Sequence, residues 1–382
     1  MEFIDLKTQY KKLQNEIQEN INKVLLDGNY ILGEEVKKLE KELAEYVGVK
    51  YCATCSNGTD ALSIALMSIE ANEGDAIFVP TFTFYSTAEV VSLCGATPIF
   101  VDSYEDSFNM DAEKLEKAIK KVIDEKKYTP KAIIAVDLFG QPANYDKIKA
   151  IATKYNLFLI EDGAQGFGGS IREKKACSFG DISTTSFFPA KPLGCYGDGG
   201  AIFTDDEELY KLILSIRVHG KGSFKYDNVR LGLNSRLDTI QAAILLPKLQ
   251  AFKEYELDDR NKFAKLYESK LQKYVKTPYV PEEYISSWAQ YTILLNNLEE
   301  RDYVQGKMKE KGIPTMVYYP KPLHKQTVYK DYNYNLEDLK ISEKISERVL
   351  SLPMHPYLTE ETVNYICNNL IDIIKEYRHE WR

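Results

Sequence analysis

From about residue 50 to residue 205, short apolar runs recur between longer amphipathic stretches. The runs are Tyr51 to Cys55, Ala76 to Val79, Pro98 to Val101, Ala132 to Val136, Phe158 to Glu161, Thr184 to Phe188 and Ala201 to Thr204. They are rich in Val, Ile and Phe and do not alternate with polar positions, which is how strands buried on both faces read. Between them Ala61 to Ile69, Ala112 to Ile123 and Tyr145 to Tyr155 carry helical spacing. Strand and helix in alternation predict a mostly parallel α/β sheet. Two helices precede it, roughly Tyr10 to Leu26 and Glu34 to Tyr46, with Gly48 placed to end the second. After it the pattern predicts a long helical stretch from Leu237 to Leu271, a strand at Tyr291 to Leu295 and a helix at Arg301 to Lys311. A strand at Met316 to Tyr318 and a closing helix at Glu360 to Tyr377 follow. This change of character predicts two domains, a large one over 1–250 and a smaller α+β one over 251–382.

Length and composition fit that division. The 382 residues are 44% hydrophobic and 28% charged, ordinary for a soluble globular protein of two domains. The net charge of -8 argues against nucleic acid as a partner, although a local basic patch can still meet a nucleotide's phosphates. Met1 to Asp5 has no basic or apolar leader and no run of about 18 apolar residues exists, so no signal peptide and no membrane span are expected. The six cysteines are scattered, which predicts reduced thiols and a cytoplasmic setting. Cys52 and Cys55 form one C-x-x-C pair without a second at a metal-site distance, and an extended segment sends them to opposite faces. No metal is expected.

Three stretches carry candidate chemistry. Ser56-Asn57-Gly58-Thr59-Asp60 joins a strand to an apolar helix. Glycine permits close approach there, and free N–H groups at a helix start attract a phosphate, to which Thr59 adds a hydroxyl. An ordinary capped turn has the same appearance. Phe158 to Gln165 delivers Asp162 to the carboxyl end of a strand, the edge where open α/β sheets bind ligands. A carboxylate there can keep a heteroaromatic nitrogen protonated, or merely cap the next helix. Ser186 to Gly194, then Gly197 to Gly200, sets Lys191 among aromatic, proline and glycine residues. A desolvated lysine loses proton affinity and becomes a nucleophile toward carbonyls, so a Schiff base with pyridoxal phosphate is its obvious use. An exposed loop lysine is the plain alternative. In this order the three supply what pyridoxal phosphate catalysis needs: an anchor for the phosphate, an acid partner for the ring nitrogen, and the amine.

With those motifs together, the chain resembles the DegT/DnrJ/EryC1/StrS family of sugar aminotransferases, which have the aspartate-aminotransferase-like (type I) fold. The resemblance runs nearly the whole length. It includes Phe3 to Leu6, Ile31 to Gly33, Ser56 to Leu62, Pro80 to Phe84, Glu161 to Gln165, Ser186 to Gly200, Arg217 to Gly220, Asn234 to Ala243 and Tyr319 to His324. Ser186 to Thr204, Leu233 to Gln250 and Ser351 to Tyr357 are similar to the branch that aminates UDP-3-keto-N-acetylglucosamine or its uronic acid. The resemblance implies roles. Gly58, Thr59 and Ser186 match phosphate ligands, Phe84 the aromatic stacked on the pyridine ring, Asp162 the ring-nitrogen partner, and Gln165 a residue near the ring hydroxyl. Lys191 holds the cofactor. Asn234 matches a residue that reaches the phosphate of the neighbouring subunit, implying a homodimer with shared sites. Arg236, Tyr318, Tyr319 and His324 fall on the substrate side.

Tyr318 stands where the uronic-acid branch has a histidine, and His324 where it has an asparagine, so the sugar's C6 group stays open. The implied reaction moves an amino group from glutamate to a UDP-linked 3-keto sugar, for bacterial surface polysaccharide (O antigen) or lipid A. The alternatives are C4 amination of a UDP-4-keto-6-deoxy sugar, a dehydratase using pyridoxamine phosphate, and a non-catalytic cofactor-binding regulator. Dehydratase relatives replace the lysine with histidine, and Lys191 argues against that reading. A regulator would need a DNA-binding module, for which neither spare length nor a basic patch is present.

Overall fold

The computed structural model describes residues 1–224, 226–332 and 336–380. Two helices lead, α1 (Leu6–Asp27) and α2 (Glu34–Val47). Strand β1 (Tyr51–Cys55) then opens the alternating region, followed by α3 (Gly58–Ser68), β2 (Asp75–Pro80), α4 (Ser86–Leu93), β3 (Thr97–Val101), α5 (Ala112–Glu125), β4 (Thr129–Val136), α6 (Tyr145–Tyr155) and β5 (Phe158–Asp162). A short hairpin, β6 (Ser170–Ile171) and β7 (Lys174–Lys175), precedes β8 (Ile182–Ser186) and β9 (Gly200–Thr204). Then come α7 (Glu207–Ile216), α8 (Thr239–Ala251), α9 (Leu257–Leu271), β10 (Tyr284–Ile285), β11 (Tyr291–Leu294), α10 (Leu298–Glu310), α11 (Lys340–Arg348), β12 (Val349–Leu352) and α12 (Glu360–Glu380).

Seven strands form one sheet in the order β1-β9-β8-β5-β4-β2-β3. Neighbours from β8 to β3 run parallel, and β9 is antiparallel to both β1 and β8. Successive side chains point to opposite faces, and the two faces carry separate cores. Ile77, Val79, Ile134 and Ile160 pack with Leu62, Leu66 and Val91 of the helices on one side. Ala76, Phe78, Ile133 and Leu159 pack with Leu115, Ile119 and Ile148 on the other. Both sheet faces are therefore covered, which is why the strands lack polar alternation. Cys52 and Cys55 are likewise split between two cores.

Four expectations need adjusting. The stretch Leu237 to Leu271 is not one regular helix, because a π-helical turn at Phe252–Glu256 separates α8 from α9. Met316 to Tyr318 makes only one bridge, Met316 to Ser351, rather than a strand. Pro314 and Pro320 flank it and lack the N–H a ladder would use. The strand expected at Thr184 to Phe188 starts and ends two residues earlier, as β8. The C-terminal sheet pairs β11 with β12, a strand the hydrophobic pattern had not suggested. No described helix is long and apolar enough to cross a membrane.

Candidate active site

A cavity of about 640 Å³ opens at the carboxyl ends of the parallel strands. Its wall includes Gly58, Thr59, Phe84, Asp162, Gln165, Ser186, Lys191, Tyr318 and Tyr319. A roomier hollow of about 910 Å³ beside α6 carries none of these residues.

One wall is the start of α3. Asn57 caps the helix by accepting from the Asp60 N–H at 2.7 Å, and Asp60 accepts from the Ser56 hydroxyl at 2.6 Å. The Thr59 hydroxyl has no partner among the described residues. A Cβ at Gly58 would stand 2.7 Å from the Cβ of Ser186, so this crossing of loop and β8 admits only glycine. The first turn thus presents backbone N–H groups and two hydroxyls, Thr59 and Ser186, toward one anion-sized corner.

The floor is the end of β5. Glu161 and Asp162 are consecutive, so they face opposite sides of the sheet. Glu161 is saturated behind the site by the N–H groups of Cys177 and Phe179 and the hydroxyl of Ser183. Asp162 faces the cavity, accepting from the Ala164 N–H at 3.1 Å and from the Thr87 hydroxyl at 3.3 Å. Burial pushes its carboxyl upward, and Ala164, Lys191 and Thr87 pull against that. A cationic N–H seated on Asp162 would restore the ionised form. Burial lowers the Lys191 amine, partly offset by Asp162, which raises the share of neutral nucleophile near neutral pH. Lys191 sits in a tight loop, its N–H donating to the Phe188 carbonyl at 2.8 Å.

Above the floor, Gln165 accepts from the Phe139 N–H at 2.8 Å and donates to the Tyr319 hydroxyl at 3.2 Å. The Phe84 ring is half exposed, 6.2 Å from that of Tyr319. Tyr318 adds a second ring 5.7 Å from Tyr319.

Three residues expected at the site do not line this cavity. His324 is turned away, its buried ring held between the Thr81 hydroxyl at 2.7 Å and Glu343 at 3.0 Å. A substrate-binding role for its side chain does not fit that placement, because both ring nitrogens are engaged. Asn234 is exposed and Arg236 partly exposed, on a segment outside their own chain's cavity. Conversely, Asn57, Thr83, Phe188, Asp198 and Gln290 line it and had not been singled out, and Thr87 reaches Asp162 from α4. Asn57, Thr83, Phe188 and Asp198 lie inside motifs already recognised, whereas Gln290 and Thr87 carried no such signal.

The residues present fit pyridoxal phosphate. The glycine lets the start of α3 close against Ser186, the buried carboxylate has no cation in direct contact among the described residues, and the lysine shares its cavity.

Comparison with known proteins agrees. The model of the DegT/DnrJ/EryC1/StrS aminotransferase family matches residues 11–371. UDP-2-acetamido-2-deoxy-3-oxo-D-glucuronate aminotransferase of Pseudomonas aeruginosa is 47% identical over 96% of this chain and 98% of its own. The UDP-N-acetyl-3-dehydro-alpha-D-glucosamine 3-aminotransferase of Acidithiobacillus ferrooxidans is 40% identical over 95% of each. Among solved structures, a DegT DnrJ EryC1 StrS aminotransferase from Brucella abortus superposes with a TM-score of 0.95 at 49% identity, covering 99% of both chains. NtdA from Bacillus subtilis, solved with bound cofactor PMP, superposes with a TM-score of 0.87 at 32% identity, covering 98% of this chain and 83% of its own.

Proposed function

Because the chain belongs to the DegT/DnrJ/EryC1/StrS aminotransferase family, we propose that it moves an amino group from glutamate to C3 of a UDP-linked 3-keto sugar derived from N-acetylglucosamine. The observation that carries the reading is the Lys191–Asp162 pair in one cavity beside the α3 phosphate corner. Two relatives with near-complete coverage act on 3-oxo sugars of this kind, one a uronate and one neutral. The class is an aminotransferase and its cofactor is pyridoxal phosphate. The products would be 2-oxoglutarate and a UDP-3-amino sugar, a supply for surface polysaccharide (O antigen) or lipid A. Six free thiols suit a cytoplasmic setting for that supply.

When bound, the cofactor supplies an aldehyde that carries the amino group and a ring that accepts the electron pair released at the amino carbon. The rest belongs to the chain. The α3 N-terminus, Thr59 and Ser186 bind the phosphate. Asp162 keeps the proton on the ring nitrogen, and Thr87 and the Ala164 N–H orient its carboxylate. The Lys191 Nζ would move the proton off the glutamate α-carbon and onto the cofactor in the first half, and from the cofactor onto the sugar carbon in the second. Gln165 and Tyr319, bonded to each other, fix the far side of the ring, and Tyr318 and Phe84 narrow the entrance to water. Asn234 and Arg236 lie on a segment free to serve a second subunit, so we assign both to the partner's site in a homodimer. Arg236 is then the cation for a C6 carboxylate.

Glutamate offered with 3-keto and 4-keto UDP-sugars tests the reading. Formation of 2-oxoglutarate with the 3-keto sugars alone is expected. Turnover confined to 4-keto sugars would overturn the C3 assignment.

A further inference from the structure

We infer that Gln290 is a specificity-determining residue that reads the acetamido group on the sugar carbon next to the reacting carbonyl. The inference rests on the nucleotide-sugar reading above. Gln290 lines the cavity shared by Lys191 and Asp162, immediately before β11. Its main chain is anchored, the N–H donating to the Phe139 carbonyl at 3.3 Å. Its side chain is not. The Oε1 atom is closed off from solvent, and neither it nor the Nε2 has a hydrogen-bond partner among the described residues.

Gln165 supplies the contrast. It hangs on the same residue from the other side, and both ends of its amide are satisfied, by the Phe139 N–H and by the Tyr319 hydroxyl. Two amides thus flank Phe139 inside one cavity. One is saturated by the protein and fixed. The other carries a buried acceptor without a partner among the described residues, and a turn of the side chain toward the cavity would bring it to a bound molecule.

The chemistry of that molecule follows from position. The reacting ketone carbon must come to Lys191, so the substituent on the adjoining carbon enters the same cavity. Oε1 calls for a donor, and a secondary amide offers its N–H while its own carbonyl accepts from Nε2. Val136 and Tyr318, also in the wall, present apolar surface to an acetyl methyl. A hydroxyl at that carbon supplies the hydrogen but leaves the apolar surface unfilled.

Calorimetric titration of the holoenzyme with UDP-N-acetylglucosamine and UDP-glucose tests this, since the two differ only in the C2 substituent. Wild type is expected to bind the acetamido sugar at least about tenfold more tightly, and Gln290→Leu to bring the ratio of dissociation constants close to one. Gln290→Asn, which shortens the same amide, is expected to fall between and serves if the leucine variant melts early. An undiminished ratio in a folded variant, or no preference in wild type, overturns the assignment. Failure of wild type to bind either sugar overturns the nucleotide-sugar reading itself, a result distinct from binding without preference.

Discussion

Asp162 and Glu161 show how much one residue step decides. Both are carboxylates at the end of β5, yet Glu161 is saturated by three donors behind the sheet and Asp162 faces the cavity with two. Replacing Asp162 with Asn keeps size and removes the charge proposed to hold a proton on the cofactor ring. Turnover is expected to fall roughly 10²–10³-fold with circular dichroism unchanged; near-normal turnover would reduce Asp162 to a turn cap. Asp162, Lys191 and Gly58 were legible in the sequence because each sits in a local pattern: a strand end, an aromatic-glycine loop, a strand-to-helix turn. Thr87 and Gln290 were not. A threonine in a short buried helix and a glutamine before a strand carry no local mark, and their meaning comes from contacts with Asp162 and Phe139, far away along the chain. His324 misled for the converse reason: its motif lies near the site, but Thr81 and Glu343 turn the ring inward.

At the scale of elements, the phosphate corner is held by a buried ion pair that the sequence did not reveal. Arg217 after α7 donates to Glu40 of α2 at 2.6 Å and to the Thr54 carbonyl of β1 at 2.7 Å. Glu40 also accepts from the Thr54 N–H and hydroxyl. Ser235, whose N–H donates to the Arg217 carbonyl, in turn meets the Ser56 N–H at 3.2 Å. Glu40→Ala leaves Arg217 buried without its carboxylate and is expected to cost on the order of 3–5 kcal/mol in urea unfolding. Cofactor affinity should weaken alongside, because the corner loses its brace. A melt unchanged from wild type would show the pair to be incidental. The seven apolar runs announced the strands, since burial on both faces writes itself into composition. Helix α4 did not stand out because it has only eight residues, five of them buried, too short a run to show an amphipathic stripe. Helix α7 had a readable cap in Asp206, Glu207 and Glu208 behind it, and apolar positions at Leu209, Ile213 and Ile216 with helical spacing, yet it had not been singled out.

At the scale of the whole molecule, Asn234 and Arg236 lie outside the cavity of their own chain while everything else the reaction needs converges inside it. The shared site proposed above would account for this. Mixing inactive Lys191→Ala with an inactive Asn234→Ala variant is expected to regenerate about a quarter of the wild-type sites, because half the dimers are hybrids and each has one intact site. No rescue after confirmed subunit exchange would count against the shared arrangement. That partnership could be expected from the family resemblance but not from a single chain's hydrophobic pattern, which records burial and not its source.

The assignment of Lys191 as the residue that holds the cofactor is tested most directly by borohydride reduction of the holoenzyme followed by peptide mapping. The adduct is expected on Lys191 alone, with loss of the cofactor's visible absorbance. A stable adduct on any other lysine, with Lys191 recovered unmodified, would contradict it.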